Sequence, residues 1–203
     1  MGARLEKAIH DLAKLEPSAV CMNSGVIFNR EQDSYILPYL NRKFLVHHSS
    51  GKIEAPWGQG EEIPPQLHIL LLHYLIHADG IALSGKWITP RDHPEGLLYG
   101  EGDWLEDIHP LLHDFGSLKN HFKESAGSLG ATATHMGNYS LLFQPLPKVP
   151  LVFVSWSDSE KFSFASNVLY DEMVLHYLPK EDCALLPRLI IQELLSLEPP
   201  EIK

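Results

Sequence analysis

The sequence is poor in cysteine, with only Cys21 and Cys183, which stand far apart and outside any C-x-x-C spacing. This excludes an iron–sulfur cluster held by the chain's own thiolates and a disulfide-stapled scaffold. It fits a reducing compartment, so a cytoplasmic location is expected, with both thiols read as core residues. No run is long and apolar enough to span a membrane. Met1 to Leu15 mixes charges of both signs with apolar residues and reads as an amphipathic helix, not as the apolar core of a secretion signal. Glu6 stands where a myristoylation pattern after Gly2 wants Ser or Thr. Basic charge is also scarce. Against 26 acidic residues there are 16 Lys and Arg, a net charge of -10, and no window clusters cations densely enough to neutralise a run of phosphates. Nucleic acid and anionic membranes are therefore excluded as expected partners.

Several catalytic signatures are missing as well. Gly85-Lys86 lacks the rest of a phosphate loop, no G-x-S-x-G elbow occurs, and the i, i+4 histidine pairs lack the Glu of a zincin H-E-x-x-H. Asp158 and Glu160 follow a strand beside Trp156, but acids so placed more often close a turn than act as an acid–base pair.

What is present suffices for one core: 203 residues, 44% of them hydrophobic. Leu5, Ile9, Leu12 and Leu15 recur at helical spacing and predict a helix over 3–15, closed by Pro17. AVCMN, GVIFNR, SYILPYL, RKFLVHH and KIEA, split by turn residues, predict an antiparallel meander. Pro64-Pro65 opens a helix that is apolar nearly all round and ends before Gly80, hence a buried central helix. Asp103 and Glu106 read as a capping box for a helix from Trp104 to Lys123, kinked at Pro110. GSLGATATHMGNYS reads as a loop, YSLLFQPL and VPLVFVSW as a strand pair, and 171–178 and 181–197 as helices, the last irregular at Pro187. The fold class expected is α+β, a single domain over 1–203 with an N-terminal antiparallel meander, a buried central helix, and a C-terminal strand pair with helices.

Twelve histidines are the compositional excess, and histidine is the commonest metal ligand. His73 and His77, like His109 and His113, are spaced to share a helix face. His47 and His48 are adjacent in a strand and point to opposite faces; with His10, His121 and His176 they read as non-ligating. Two loops concentrate unusual residues. The first, 83–99, carries Trp87, Arg91, His93 and Tyr99. Its Asp92-His93-Pro94-Glu95-Gly96 is similar to the Asp-x-His-x-x-Gly loop of corrinoid-binding methyltransferase domains, but the acid is one place off and that family's βαβ alternation is missing. The second, 127–139, places small residues before His135-Met136, a composition that lets backbone approach a flat ligand and offers an axial ligand to a tetrapyrrole metal.

LLHYLIHADG, Trp87-Ile-Thr-Pro-Arg91, Gly96-Leu-Leu-Tyr99, Leu146-Pro-Lys-Val-Pro-Leu151, Trp156-Ser-Asp-Ser-Glu-Lys-Phe162 and Leu169-Tyr-Asp171 with Tyr177-Leu178-Pro179 resemble, in order and over nearly the whole chain, a domain-of-unknown-function family of anaerobic bacteria and archaea. That family often sits near corrinoid-dependent demethylase and dehalogenase systems. The resemblance therefore implies a corrinoid (cobalamin) binding or carrier protein without catalytic chemistry of its own, partnered by the cofactor and by corrinoid-dependent enzymes. His135 would be the metal ligand, and Trp87, Arg91, Tyr99 and Trp156 would line the pocket; no catalytic residue is assigned. The chain departs from the family's Glu-Leu-Pro-Gly-Gly at Asp92 to Gly96 and from its acid at Asn138, so His93 and Asn138 inherit no role. The rival readings are a His-ligated zinc hydrolase drawing on His73, His77, His109 and His113, and a ligand-free interaction protein.

Overall fold

A computed structural model describes residues 2–55, 63–93, 119–158 and 163–197. Helix α1 (Gly2–Leu12) turns its apolar stripe inward and buries Ala8 and Leu12. Helix α2 (Pro17–Ser24) follows. AVCMN is thus helical, a correction to the predicted strand: Pro17 begins the helix, where a missing N–H costs nothing, and the Gly25 N–H closes on the Cys21 carbonyl at its end. A five-residue apolar run cannot by itself tell helix from strand.

The meander forms as expected. Strands β1 (Ile27–Asn29), β2 (Ser34–Tyr39), β3 (Arg42–His47) and β4 (Ile53–Glu54) make a four-stranded sheet in that order, with Ile36 opposite Leu45 and Leu37 opposite Phe44. Tyr35, Leu37 and Tyr39 alternate onto its buried face. Helix α3 (Pro65–His77) crosses the interior and buries Leu70, Leu71, Leu72 and Tyr74 completely. The Tyr74 hydroxyl donates to the Ser24 carbonyl at 2.5 Å and accepts from the Lys148 amide at 3.1 Å, tying α2 and the second sheet to this helix. Gly80, just past α3, has φ +84, and a Cβ there would lie 2.9 Å from Asn23 Oδ1, so both the turn and the close approach require glycine.

The C-terminal half holds more strand than the sequence suggested. Strands β5 (Trp87–Ile88), β6 (Thr132–Ala133), β7 (Tyr139–Leu146), β8 (Val149–Asp158) and β9 (Ser163–Asp171) form an antiparallel sheet in the order β5-β9-β8-β7-β6. The predicted strand pair is its β7–β8 hairpin. Leu151, Val152, Phe153 and Val154 of β8 are all buried, which is why that strand reads as a continuous apolar run. Strand β9 was missed because its first half is rich in Ser and Asn, although Val168 and Tyr170 alternate with half-buried neighbours. Residues 171–178 are not the predicted helix but the end of β9, a turn, and one 3-10 turn at Val174–His176. The stretch read as a loop before β7 holds the end of helix α4 (Lys119–Ser128) and β6. Asp103, Glu106 and Pro110 lie outside the described residues. The sheets meet where the Leu40 N–H donates to the Pro145 carbonyl at 3.0 Å, and one contiguous apolar core joins both sheets to α3 and to helix α5 (Lys180–Ser196).

Pro187 lies inside α5 without ending it. A proline there leaves the carbonyl four residues back, that of Cys183, without its helical donor. The buried Tyr170 hydroxyl takes its place, donating to the Cys183 carbonyl at 2.6 Å. Tyr170→Phe is therefore expected to cost about 1–3 kcal/mol through an orphaned carbonyl. In a Pro187→Ala background the restored amide should remove most of that penalty. Chemical denaturation of the four proteins of this double-mutant cycle measures the coupling.

Candidate functional site

The first loop read as a binding element is held down as a strap. The Asp171 carboxylate, buried at the end of β9, accepts from the Gly85 amide at 2.7 Å, the Ser84 amide at 3.2 Å, the Ser84 hydroxyl at 3.3 Å and the Met173 amide at 3.0 Å. Lys86 pairs with Glu172 at 2.7 Å, and the buried His93 ring bonds the Glu172 carbonyl at 3.1 Å. Trp87 within it is half-buried on β5 and Arg91 is exposed.

The proposed corrinoid-pocket residues are not gathered together. Trp87 pairs with Asp171 and Trp156 with Ala165, so the two indoles anchor at points about 20 Å apart along β9 at roughly 3.3 Å per residue. Tyr99 lies outside the described residues. His135 and Trp156 do occupy one neighbourhood. Gly137, two residues after the exposed His135, has φ +62 and packs so closely on β8 that a Cβ would lie 2.7 Å from the Ser155 carbonyl and 3.1 Å from Trp156 Nε1. Trp156 itself is 41% exposed.

Three other described histidines serve the fold. His48 Nδ1 bonds the Tyr35 hydroxyl at 3.0 Å, His68 Nε2 the Gly51 carbonyl at 2.8 Å, and His176 Nδ1 Asp79 at 2.6 Å. His109 and His113 lie outside the described residues.

His73 and His77 differ from these. The i, i+4 spacing on α3 brings their rings to a centroid separation of 5.8 Å, with planes at 88°. Behind them, Asp182 is 3% exposed in the first turn of α5, where the helix N-terminus favours a carboxylate. Its Oδ2 lies 2.6 Å from His73 Nδ1. A carboxylate there accepts a hydrogen bond from Nδ1–H, which leaves Nε2 as the ring nitrogen that can face a metal. His77 sits at the surface, and partial burial followed by the neighbouring His73 lowers its pKa below the ordinary histidine value, against the opposing pull of Asp182, Asp11 and Glu181. The pair sits in an acidic surround of Asp182, Asp11 and Glu181. Two imidazoles on one tetrahedral metal with metal–nitrogen bonds of about 2.1 Å place their centroids roughly 5 Å apart, within a small side-chain adjustment of the observed separation. Among the described residues, no group of three or more His, Cys, Asp or Glu side chains is placed to hold a metal ion; His73 and His77 could offer two imidazole nitrogens, with Asp182 behind the first.

Residues 16–193 match the family described as Domain of unknown function (DUF3786). The chain belongs to that family. No curated protein matches the chain, and no solved structure does. Among the described residues of this DUF3786 chain, no helix is long and apolar enough to cross a membrane.

Two features of the DUF3786 fold are not among those expected from the sequence. Asp182 carried a readable signal: an acid in the first turn after Pro179, followed by the apolar run of α5. The other feature had none. A cavity of about 220 Å³ opens between the first sheet and α3 and α5, with Phe44, Leu67 and Leu189 in its wall. At its edge Arg42 pairs with Glu193, a residue 151 positions away, and its guanidinium lies 5.8 Å from the Tyr39 ring centroid and 5.6 Å from that of Phe44. The two thiols offer no nucleophile: Cys183 is sealed in the core, and burial raises the pKa of both.

Proposed function

We propose that this protein binds a divalent first-row transition-metal ion through His73 Nε2 and the His77 imidazole. The observation that carries this reading is the 2.6 Å contact between buried Asp182 and His73 Nδ1. A carboxylate behind a histidine is the usual support of a metal ligand, fixing the ring's tautomer and raising its basicity. Two protein ligands leave coordination positions open to water or to a further ligand, and an open position is what lets a metal activate water as a Lewis acid. The zinc hydrolase reading thus keeps the pair His73 and His77.

Calorimetric titration with Zn²⁺ of protein without a histidine tag tests the site. One equivalent is expected to bind, with binding lost in His73→Ala and His77→Ala and weakened about 10–100-fold in Asp182→Asn. Titrations indistinguishable between the parent and the three variants would refute the assignment.

The corrinoid reading keeps one supporting observation, the exposed Trp156 beside the turn that carries His135. In this reduced form a macrocycle lies on the indole, His135 takes the metal, and Trp87 and Arg91 at the far end of the sheet take no part. Hydroxocobalamin mixed with the protein is then expected to change its visible spectrum, and His135→Ala to abolish the change. An unaltered spectrum with the parent protein rejects it.

A further inference from the structure

The cavity bounded by the first sheet, α3 and α5 lies toward the other end of the α3–α5 packing from the His73 site. Leu67, near the start of α3, and Leu189 and Glu193, late in α5, line it, whereas His73 and Asp182 occupy the opposite ends of the same helices. Its volume, about 220 Å³, exceeds the roughly 150 Å³ known to hold one benzene and falls below the range for drug-sized ligands. An occupant of about nine to twelve non-hydrogen atoms fits.

The wall and the edge have different chemistry. Phe44, Leu67 and Leu189 give the wall apolar surface, and among the described lining residues Arg42 and Glu193 carry one charge of each sign. Both are partly accessible, with side chains 33% and 24% exposed. The guanidinium lies within cation–π range of the Tyr39 and Phe44 rings, and its fork of five N–H donors can serve more than one acceptor. Below lies the Tyr39 hydroxyl, sealed from water and without a hydrogen-bond partner among the described residues, a buried polar group that natural structures seldom leave so.

A ligand with a single charge would satisfy Arg42 or Glu193 and meet like charge at the other. A zwitterion with an apolar tail meets neither problem. From this we infer that the cavity binds a small apolar α-amino acid: its carboxylate on Arg42, its ammonium on Glu193, and its side chain between Phe44, Leu67 and Leu189. The ligand would enter between Arg42 and Glu193, and the Tyr39 hydroxyl, in the lining of the same cavity, offers its carboxylate a further donor. This inference is independent of the metal site.

The test is calorimetric titration of the whole protein with L-leucine and L-phenylalanine, beside 4-methylpentanoate and 3-methylbutylamine, which carry one charge each. Saturable binding of at least one amino acid is expected, tighter by about tenfold or more than either singly charged analogue, as loss of one charged contact implies. Glu193→Gln should weaken the amino acid by about tenfold and leave 4-methylpentanoate no weaker. Leu67→Trp, which fills the cavity without touching the charges, should abolish binding while circular dichroism shows the fold retained. His77→Ala should bind as the parent does. No binding of either amino acid, or equal binding of the acid analogue, would overturn the inference.

Discussion

Above pH 10 the protein is expected to unfold cooperatively, before its tyrosines ionise in the native state. Tyr39, Tyr74 and Tyr170 are completely buried, and burial is the first cause raising each phenol above its ordinary value near 10. The sign follows from linkage. A phenol whose folded pKa lies above its unfolded value contributes stability that is fully present below the unfolded value and lost as pH rises toward the folded one. Each such group costs about 1.4 kcal/mol per pH unit in that window, so three cost roughly 4 kcal/mol per unit against a total stability of about 5–15 kcal/mol. The buried Cys183 thiol, raised by burial and by Asp182 and Glu181 beside it, adds to the slope from pH 9 upward. Parallel titrations of absorbance at 295 nm and far-ultraviolet circular dichroism should therefore show phenolate appearing together with loss of structure. Ionisation of most tyrosines near pH 10 in a folded protein would contradict the burial of these residues.

Asp171→Ala is expected to destabilise the protein by roughly 3–5 kcal/mol, because it deprives three backbone amides and one hydroxyl of a charged acceptor inside the fold. Asp171→Asn keeps one acceptor oxygen and should fall between the two, since its amide group then faces a backbone N–H. The loss should also be local. Hydrogen exchange at Ser84, Gly85 and Met173 is expected to accelerate more than at Leu71 in α3, which packs elsewhere in the core. A neutral Asp171→Ala would remove the account of residues 83–93 as a strap tied to β9.

Those residues show where sequence reading reached and where it stopped. The meander was legible because Tyr35, Leu37 and Tyr39 alternate in one strand and Phe44 and Val46 answer them in the next. Helix α3 was legible because Pro64-Pro65 opens it and its apolar residues are too continuous for a surface helix. Strand β9 was hidden by Ser163, Ser166 and Asn167, and α2 by a run too short to show a period. At the candidate sites, the i, i+4 spacing of His73 and His77 was visible, but what distinguishes that pair is Asp182, which lies 109 residues on from His73 and reaches it only because α5 packs against α3. Trp87 and Trp156 were grouped as pocket-lining residues through the family resemblance, and the sheet register sets them apart. The Arg42–Glu193 pair depends wholly on tertiary packing.

The central claim is that His73 and His77 together hold one metal ion. Loading with Co²⁺ and recording the visible spectrum, followed by X-ray absorption at the zinc edge of the Zn²⁺-loaded protein, tests it most directly. The account predicts one ion per chain, two imidazole nitrogens at about 2.0–2.1 Å with the remaining scatterers oxygen, and loss of the signal in His77→Ala. A metal shell containing sulfur, or one unchanged when His77 is removed, would contradict it.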